Sequence, residues 1–437
     1  MSNDRMLAQQ LGAVATELGL EGQASSELIS AGSKRRRRGF DPKDFNGLAT
    51  LSLIRDQDAL RWCYIHPTRR KIRREGVRRH RPVGANTVFE LRIEDTPPNR
   101  LLEALDKLDD KLTPARGLRR YDPATGELKR VADGELAKGS VLLLVHGTFS
   151  KSDMFTKEFS ATPGGQKFIG KATTKYRHIL VFDHPTLSVS PWINALDLES
   201  ELARSGAEGS MDIICHSRGG LVVAWWLRNG KRNVKRVVFV GSPLEGTSLA
   251  SPARLRSALD LLINVAGTLQ TLGTALTFAV PMMSVVTGLS AVVGGILSLG
   301  SRSVLLDAGV SVVPGLASQS RVQNNFEIDR LIRYPWSSAP EFYAVVSSFE
   351  PEPVKASFWQ FWRHFCGIGT QLVGAGADAV FDGPNDLVVD TKAMALICKK
   401  AIPTENTLSF ATDARVHHCN YFSQSRTTAF LEQAFRL

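Results

Sequence analysis

Ser217 is the residue around which chemistry can be built. It ends a short apolar run, Met211-Asp212-Ile213-Ile214-Cys215-His216, and is followed at once by Arg218-Gly219-Gly220-Leu221-Val222-Val223. An apolar strand, then small-x-Ser-x-small, then a helical pattern is what a strained strand-to-helix turn requires. The side chains two before and two after the serine must be small for so tight a fold, and they are Cys215 and Gly219. Such a turn lifts a hydroxyl out of a sheet, where it can serve as a nucleophile. A serine that merely caps a helix would carry the same six letters, so the surroundings must decide.

A nucleophilic serine needs a base, an acid and donors for a developing oxyanion. Near the chain end stand His417 and His418, and upstream of them the run from Phe381 to Asp390 holds Asp382, Asp386 and Asp390. Asp390 reads better as the N-cap of a helix beginning at Thr391. A metal site built from His417, His418 and Cys419 is disfavoured because adjacent residues chelate poorly and no second ligand pair lies nearby, so neither metal nor cofactor is expected.

These residues need elements to hold them. Beyond Gly139 short apolar runs alternate with helical patterns, which is the signature of a parallel sheet. The runs are 141–145, 179–182, 211–214, 237–240 and 342–346, with helices over 192–205, 218–228 (closed by Gly230) and the stretch containing Glu432. Before them, 87–95 alternates polar and apolar side chains as a half-exposed edge strand would, 101–112 reads as a helix, and 118–131 as a hairpin around Asp122-Pro123-Ala124-Thr125-Gly126.

With the strands in place, the chain resembles a lipase-type member of the α/β-hydrolase superfamily over residues 140–437. The resemblance rests on Cys215-His216-Ser217-Arg218-Gly219-Gly220, on Val145-His146-Gly147, and on Val240-Gly241-Ser242-Pro243-Leu244-Glu245-Gly246-Thr247. It implies a mostly parallel central sheet flanked by helices and a triad in the order nucleophile, acid, histidine. Asn385-Asp386-Leu387-Val388 resembles the acid loop of such lipases, with Leu387 where the family has glycine. Asp386 is therefore the implied acid and Asp382 the alternative. His418 fits a His-x-x-aromatic pattern ending at Tyr421, with His417 the alternative base. The implied oxyanion donors are the main-chain N–H groups of Thr148 and Arg218.

The remainder of the chain frames the substrate. Residues 1–40 read as a disordered or loosely attached basic arm, 41–139 as an N-terminal extension with a basic segment and β-structure, and 140–437 as the hydrolase domain with a helical lid or cap over 252–331. No charged residue occurs from 261 to 301, in two apolar halves separated near Pro281. Each half is long enough to cross a bilayer, yet Asn264, Gln270, several threonines and many glycines favour a packed lid. The net charge of +11 is concentrated in Lys34–Arg38 and in eight cationic residues between Arg69 and Arg81, a pattern that suits an anionic membrane surface or a solvated arm. Nucleic-acid binding is disfavoured, since stacking aromatics are not interleaved with those charges.

No leader pattern opens the chain and its five cysteines are odd in number without a CxxC pair, so the expectation is a cytoplasmic protein with reduced thiols, peripheral at a membrane if anywhere. The expected activity is serine carboxylic-ester hydrolysis of a lipase or phospholipase kind. The alternatives are a soluble short-chain esterase or acyltransferase, and a membrane-associating effector or scaffold that uses the apolar insertion.

Overall fold

A computed structural model describes residues 2–17, 21–24, 49–56, 59–65, 86–93, 101–229, 232–247, 313–320, 325–333, 340–348, 386, 388–411 and 416–437. They belong to two compact units, one made of Met1–Lys111, Pro252–Val312 and Ser357–Gly374, the other of Leu112–Ser251, Val313–Ala356 and Ala375–Leu437. The basic runs, Gly230, Asp382, Leu387 and the uncharged stretch 261–301 lie outside the described residues.

The first unit contains α1 (Ser2–Glu17), β1 (Glu21–Ala24), β2 (Ala49–Asp56), β3 (Ala59–Ile65) and β4 (Asn86–Ile93), and its antiparallel sheet has the order β1-β4-β2-β3. One expectation is corrected here. The strand read as an edge, β4, is interior, because β1 pairs Glu21 to Ala24 with Arg92 to Phe89 on its free side. Within residues 1–40, α1 carries Leu7, Ala8, Leu11 and Ala15 as one helical stripe, and these four are buried. Gly12 lies close enough to β4 that a Cβ there would stand 3.9 Å from Phe89 Cε2.

Helix α2 (Leu101–Leu112) leads into the second unit. That unit holds β5 (Gly117–Tyr121), β6 (Leu128–Arg130), β7 (Val141–Val145), α3 (Asp153–Ser160), α4 (Pro163–Lys175), β8 (His178–Asp183), α5 (Pro191–Ser205), β9 (Met211–His216), α6 (Gly219–Asn229) and β10 (Val234–Val240). It continues with α7 (Pro314–Ala317), α8 (Phe326–Arg333), β11 (Glu341–Val346), α9 (Thr391–Met394), the ribbon β12 (Leu396–Ile397) and β13 (Lys400–Ala401), β14 (Thr407–Ser409) and α10 (Ser425–Phe435). Eight strands form one sheet in the order β14-β11-β10-β9-β7-β8-β5-β6. The six strands β7 to β11 and β14 run parallel, and only the β5–β6 hairpin introduces antiparallel pairs. Counted along the chain this is strand order 2-1-4-3-5-6-7-8 with only the first strand reversed, the α/β-hydrolase fold with the strands of its opening hairpin exchanged in place.

Both faces of this sheet are covered, which is why β7, β8 and β9 are buried at every position rather than at alternate ones. Leu143, Val145, Ile213 and Phe239 face a core shared with Leu198 and Leu202 of α5 and Val222 and Trp226 of α6. Their neighbours Leu142, Leu144, Ile214 and Val238 face the other core, with Phe155 of α3, Phe168 of α4 and Leu431 and Phe435 of α10. The alternation within each run therefore sorts helices to opposite sides. Asp390 takes the N-cap position of α9, with no side-chain cap bond.

Candidate active site

The β9–α6 turn carries Ser217 in the left-handed region at φ 53, a conformation that costs a non-glycine residue of order 1 kcal/mol or more and persists only where the surroundings impose it. The surroundings do so through close approaches. A side chain at Gly219 would put Cβ 2.4 Å from the Val145 carbonyl oxygen, and one at Gly220 would meet Ser242 Oγ at 2.4 Å. The Ser217 N–H donates to Val240 O at 2.9 Å, tying the turn to β10. Cys215 is buried with its thiol pushed up by burial, so it fills space as a small residue rather than acting as a second nucleophile.

The end of β7 comes against this turn. A Cβ on Gly147 would lie 2.5 Å from Ser217 Cβ and 3.1 Å from its Oγ, so only glycine fits. The Gly147 carbonyl accepts from Ser150 Oγ at 3.0 Å and faces His146 Nδ1 at 2.9 Å. His146 Nε2 accepts from the His184 N–H at 3.2 Å, which assigns the ring proton to Nδ1 and makes it the donor to Gly147 O. Because a trans peptide sets N–H opposite C=O, fixing the Gly147 carbonyl also fixes the direction of the Thr148 N–H. That N–H has no acceptor among the described residues.

Asp386 and His418, chosen from separate stretches of sequence, are brought together. His418 Nδ1 and Asp386 Oδ2 are 2.8 Å apart, and the His418 N–H donates to the Asp386 carbonyl at 3.1 Å. The carboxylate is wholly buried and yet well provided with donors. Oδ2 also accepts from Tyr421 Oη at 2.8 Å, while Oδ1 accepts from the N–H groups of Val388 at 3.1 Å and Val389 at 2.8 Å. Burial alone would raise its pKa, but the charge and hydrogen bond of His418, together with the backbone and tyrosine donors, hold it below the ordinary carboxylate value. Gly241, at φ 54, makes the room: a Cβ there would stand 2.7 Å from Tyr421, 3.1 Å from Asp386 Oδ2 and 3.3 Å from His418 Nδ1.

His418 is also tied to the elbow. His216 Nε2 donates to the His418 carbonyl at 2.9 Å, and the two rings lie 4.8 Å apart by centroid. Burial, then the neighbouring His418, push His216 down to about 3, so it is a neutral strut. Ser217 and His418 share no hydrogen bond among the described residues; such contacts commonly tighten only around substrate. His417 is directed elsewhere. Its Nδ1 accepts from the Cys419 N–H at 3.3 Å, its own N–H donates to Asn420 Oδ1 at 2.9 Å, and burial lowers it to about 4.

Arg218 is fully buried, and its Nη2 donates to Val189 O at 2.5 Å and to Asn194 Oδ1 at 2.8 Å, fastening the elbow to the start of α5. Tyr421, His216, Gly241 and Gln319, which contacts Thr148, were not singled out from the sequence. Tyr421 left a signal as the aromatic of the His-x-x-aromatic pattern, and His216 and Gly241 stood within motifs without a role of their own; Gln319 left none. No group of three or more His, Cys, Asp or Glu able to hold a metal ion occurs among the described residues.

The family described as "Domain of unknown function (DUF7379)" matches residues 113–436. No curated protein matches the chain. Among solved structures, the mature form of Bacillus licheniformis lipase BlEst2 is 15% identical, with a TM-score of 0.34, covering 73% of this chain and 97% of that one. Lipase 1 from Pelosinus fermentans is 15% identical, with a TM-score of 0.35 and coverage of 67% and 97%. The hydrolase olei00960 from Oleispira antarctica is 11% identical, with a TM-score of 0.37 and coverage of 70% and 94%.

Proposed function

The chain belongs to the DUF7379 family, a domain of unknown function, and from the geometry of its site we propose that it is a serine hydrolase that cleaves a carboxylic ester, a lipid ester in particular, through an acyl-enzyme. The observation that carries this reading is the buried Asp386–His418 pair at 2.8 Å beside a serine held at φ 53 between a strand and a helix. In this mechanism Ser217 Oγ attacks the ester carbonyl carbon while His418 Nε2 takes its proton. The tetrahedral oxyanion is held by the N–H groups of Thr148 and Arg218, and one such donor is worth about 3 kcal/mol. His418 then protonates the departing alkoxide, and in the second half it draws a proton from water, which releases the acid. Asp386 keeps the proton of the neutral ring on Nδ1 and stabilises the imidazolium.

A lipid substrate is supported by apolar surface on the helix that anchors Arg218. Trp192, Ile193 and Leu196 of α5 are exposed, as is Phe326 at the start of α8. The sequence also holds an uncharged stretch, 261–301, whose composition suits an apolar substrate. No helix among the described residues is long and apolar enough to cross a membrane.

Ser217→Ala tests the reading. Labelling by a fluorophosphonate probe and hydrolysis of p-nitrophenyl esters should both vanish, and either one surviving would sink the proposal. A preference of the wild type for butyrate over palmitate esters would remove the lipid assignment and leave the esterase.

A further inference from the structure

The segments that flank residues 248–312 are hydrogen-bonded into both loops of the candidate site. On the entering side, the Thr247 hydroxyl donates to Val388 O at 2.5 Å, and Val388 in turn donates its N–H to Asp386 Oδ1 at 3.1 Å. On the returning side, Gln319 is buried and its Nε2 donates to Thr148 Oγ1 at 3.1 Å and to Gly315 O at 2.5 Å, with Gln319 Oε1 3.3 Å from the same hydroxyl. The two sides meet where the Thr247 N–H donates to Gln319 O at 2.8 Å and Thr247 bridges Ser320 in parallel. The seat beneath Gln319 is tight: a Cβ on Gly315 would fall 1.9 Å from Thr186 O.

We propose that Gln319 is a positioning residue for the oxyanion turn, acting through the Thr148 hydroxyl, and that Thr247 joins it to the acid loop. The inference rests on the serine-hydrolase reading and deepens it. Two features of the turn call for such a hold. Phe149, next to Thr148, is itself at φ 55, a backbone that stays put only if neighbours impose it, and the Phe149 N–H reaches Thr186 Oγ1 at no less than 3.4 Å. His146 fixes the peptide before Thr148, whereas the hydroxyl of Thr148 is fixed by Gln319, so the residue is gripped from both sides. A hydroxyl that both donates to and accepts from one amide has a single rotamer, and the Thr148 N–H is positioned by the backbone bearing it.

The decisive comparison is Thr148→Val, which keeps the shape and loses the hydroxyl, against Thr148→Ser, which keeps the hydroxyl and loses a methyl. With p-nitrophenyl butyrate, Thr148→Val and Gln319→Met should each lower kcat about tenfold with KM changed by less than about twofold, the scale of one neutral hydrogen bond. Thr148→Ser should stay within about threefold of wild type, and the double variant Thr148→Val/Gln319→Met should be no slower than the slower single one, since both remove the same contact. A purely packing role predicts the reverse order, with Val better than Ser, and that order overturns the inference, as does an unchanged kcat in Gln319→Met. Ser217→Ala separates the two levels. If it is silent while Gln319→Met hydrolyses at the wild-type rate, only the positioning role fails; if Ser217→Ala still hydrolyses the ester, the serine-hydrolase reading fails and this inference with it.

Discussion

Two histidine–aspartate pairs stand at the same ends of the central strands and are put to opposite uses. His418 spends Nδ1 on Asp386 at 2.8 Å, and among the described residues that carboxylate meets no arginine or lysine, only the histidine, a tyrosine and two main-chain N–H groups. Its Nε2 is thereby left for the proton transfer proposed above. His146 lies 3.5 Å from Asp183, but Asp183 is already claimed by Arg119 at 3.0 Å and by the Ser152 N–H at 2.8 Å. His146 gives both ring nitrogens to backbone, Nδ1 to Gly147 O and Nε2 to the His184 N–H, and stacks on His184 at 4.2 Å. What separates a base from a strut is which nitrogen remains to do work, a property that residue types alone do not reveal.

Substitution at each histidine tests that contrast most sharply. His418→Gln should lower kcat by roughly 10⁴-fold or more, as loss of the base does in serine hydrolases. His417→Gln should stay within about tenfold of wild type, because its ring serves the local turn. His146→Gln should cost on the order of 10- to 100-fold through a misdirected Thr148 N–H, with the fluorophosphonate reaction slowed but not lost. Steady-state kinetics on one ester ranks all three, and a His146 variant as slow as the His418 variant would erase the distinction drawn here.

A smaller effect concerns the acid. Asp386 is held below its ordinary pKa, so it contributes stability above the unfolded value that is lost as pH falls through the folded one. Tyr421→Phe removes one donor, brings the folded pKa nearer to the unfolded value, and should flatten the fall in melting temperature between about pH 5 and pH 2.5. Wild-type and variant melting curves that stay parallel over that range would show that the tyrosine does not stabilise the charged form.

The smallest expected effect lies beneath the His418 turn. Burial pushes Glu158 up to about 8, against hydrogen bonds from Ser423 Oγ and the N–H groups of Phe422 and Ser423. A carboxyl raised in this way contributes stability that is fully present below the unfolded pKa and is lost as pH rises through about 8. Glu158→Gln should therefore raise the melting temperature by about 2 to 4 °C at pH 9 and leave it unchanged at pH 4. An equal shift at both pH values would place the charge elsewhere.

The sequence shows best what is local. The elbow, the glycine beside it and the acid loop are each written within ten residues, and strand after strand of the parallel sheet is a run of buried aliphatics. What it hides depends on pairing between distant segments. Tyr421 reaches Asp386 and His216 reaches the His418 carbonyl only once the chain has closed on itself. The strand β14 is three residues long and has no period to detect. The interior place of β4 went unseen because its partner β1 is four residues from a segment poor in apolar pattern. Similarly, α1 hides four buried positions among polar neighbours, a stripe too narrow to stand out in the composition.

The parallel bridge between Thr247 and Ser320 lies outside the central sheet, between the end of β10 and the start of β11, and brings both ends of the intervening stretch to one point. The sheet's topology is thus indifferent to how many residues intervene, since the cost of closing a loop grows only as the logarithm of its length. That makes this junction a natural port for exchange, where evolution or an engineer can replace the intervening segment without redesigning the strands that hold the serine.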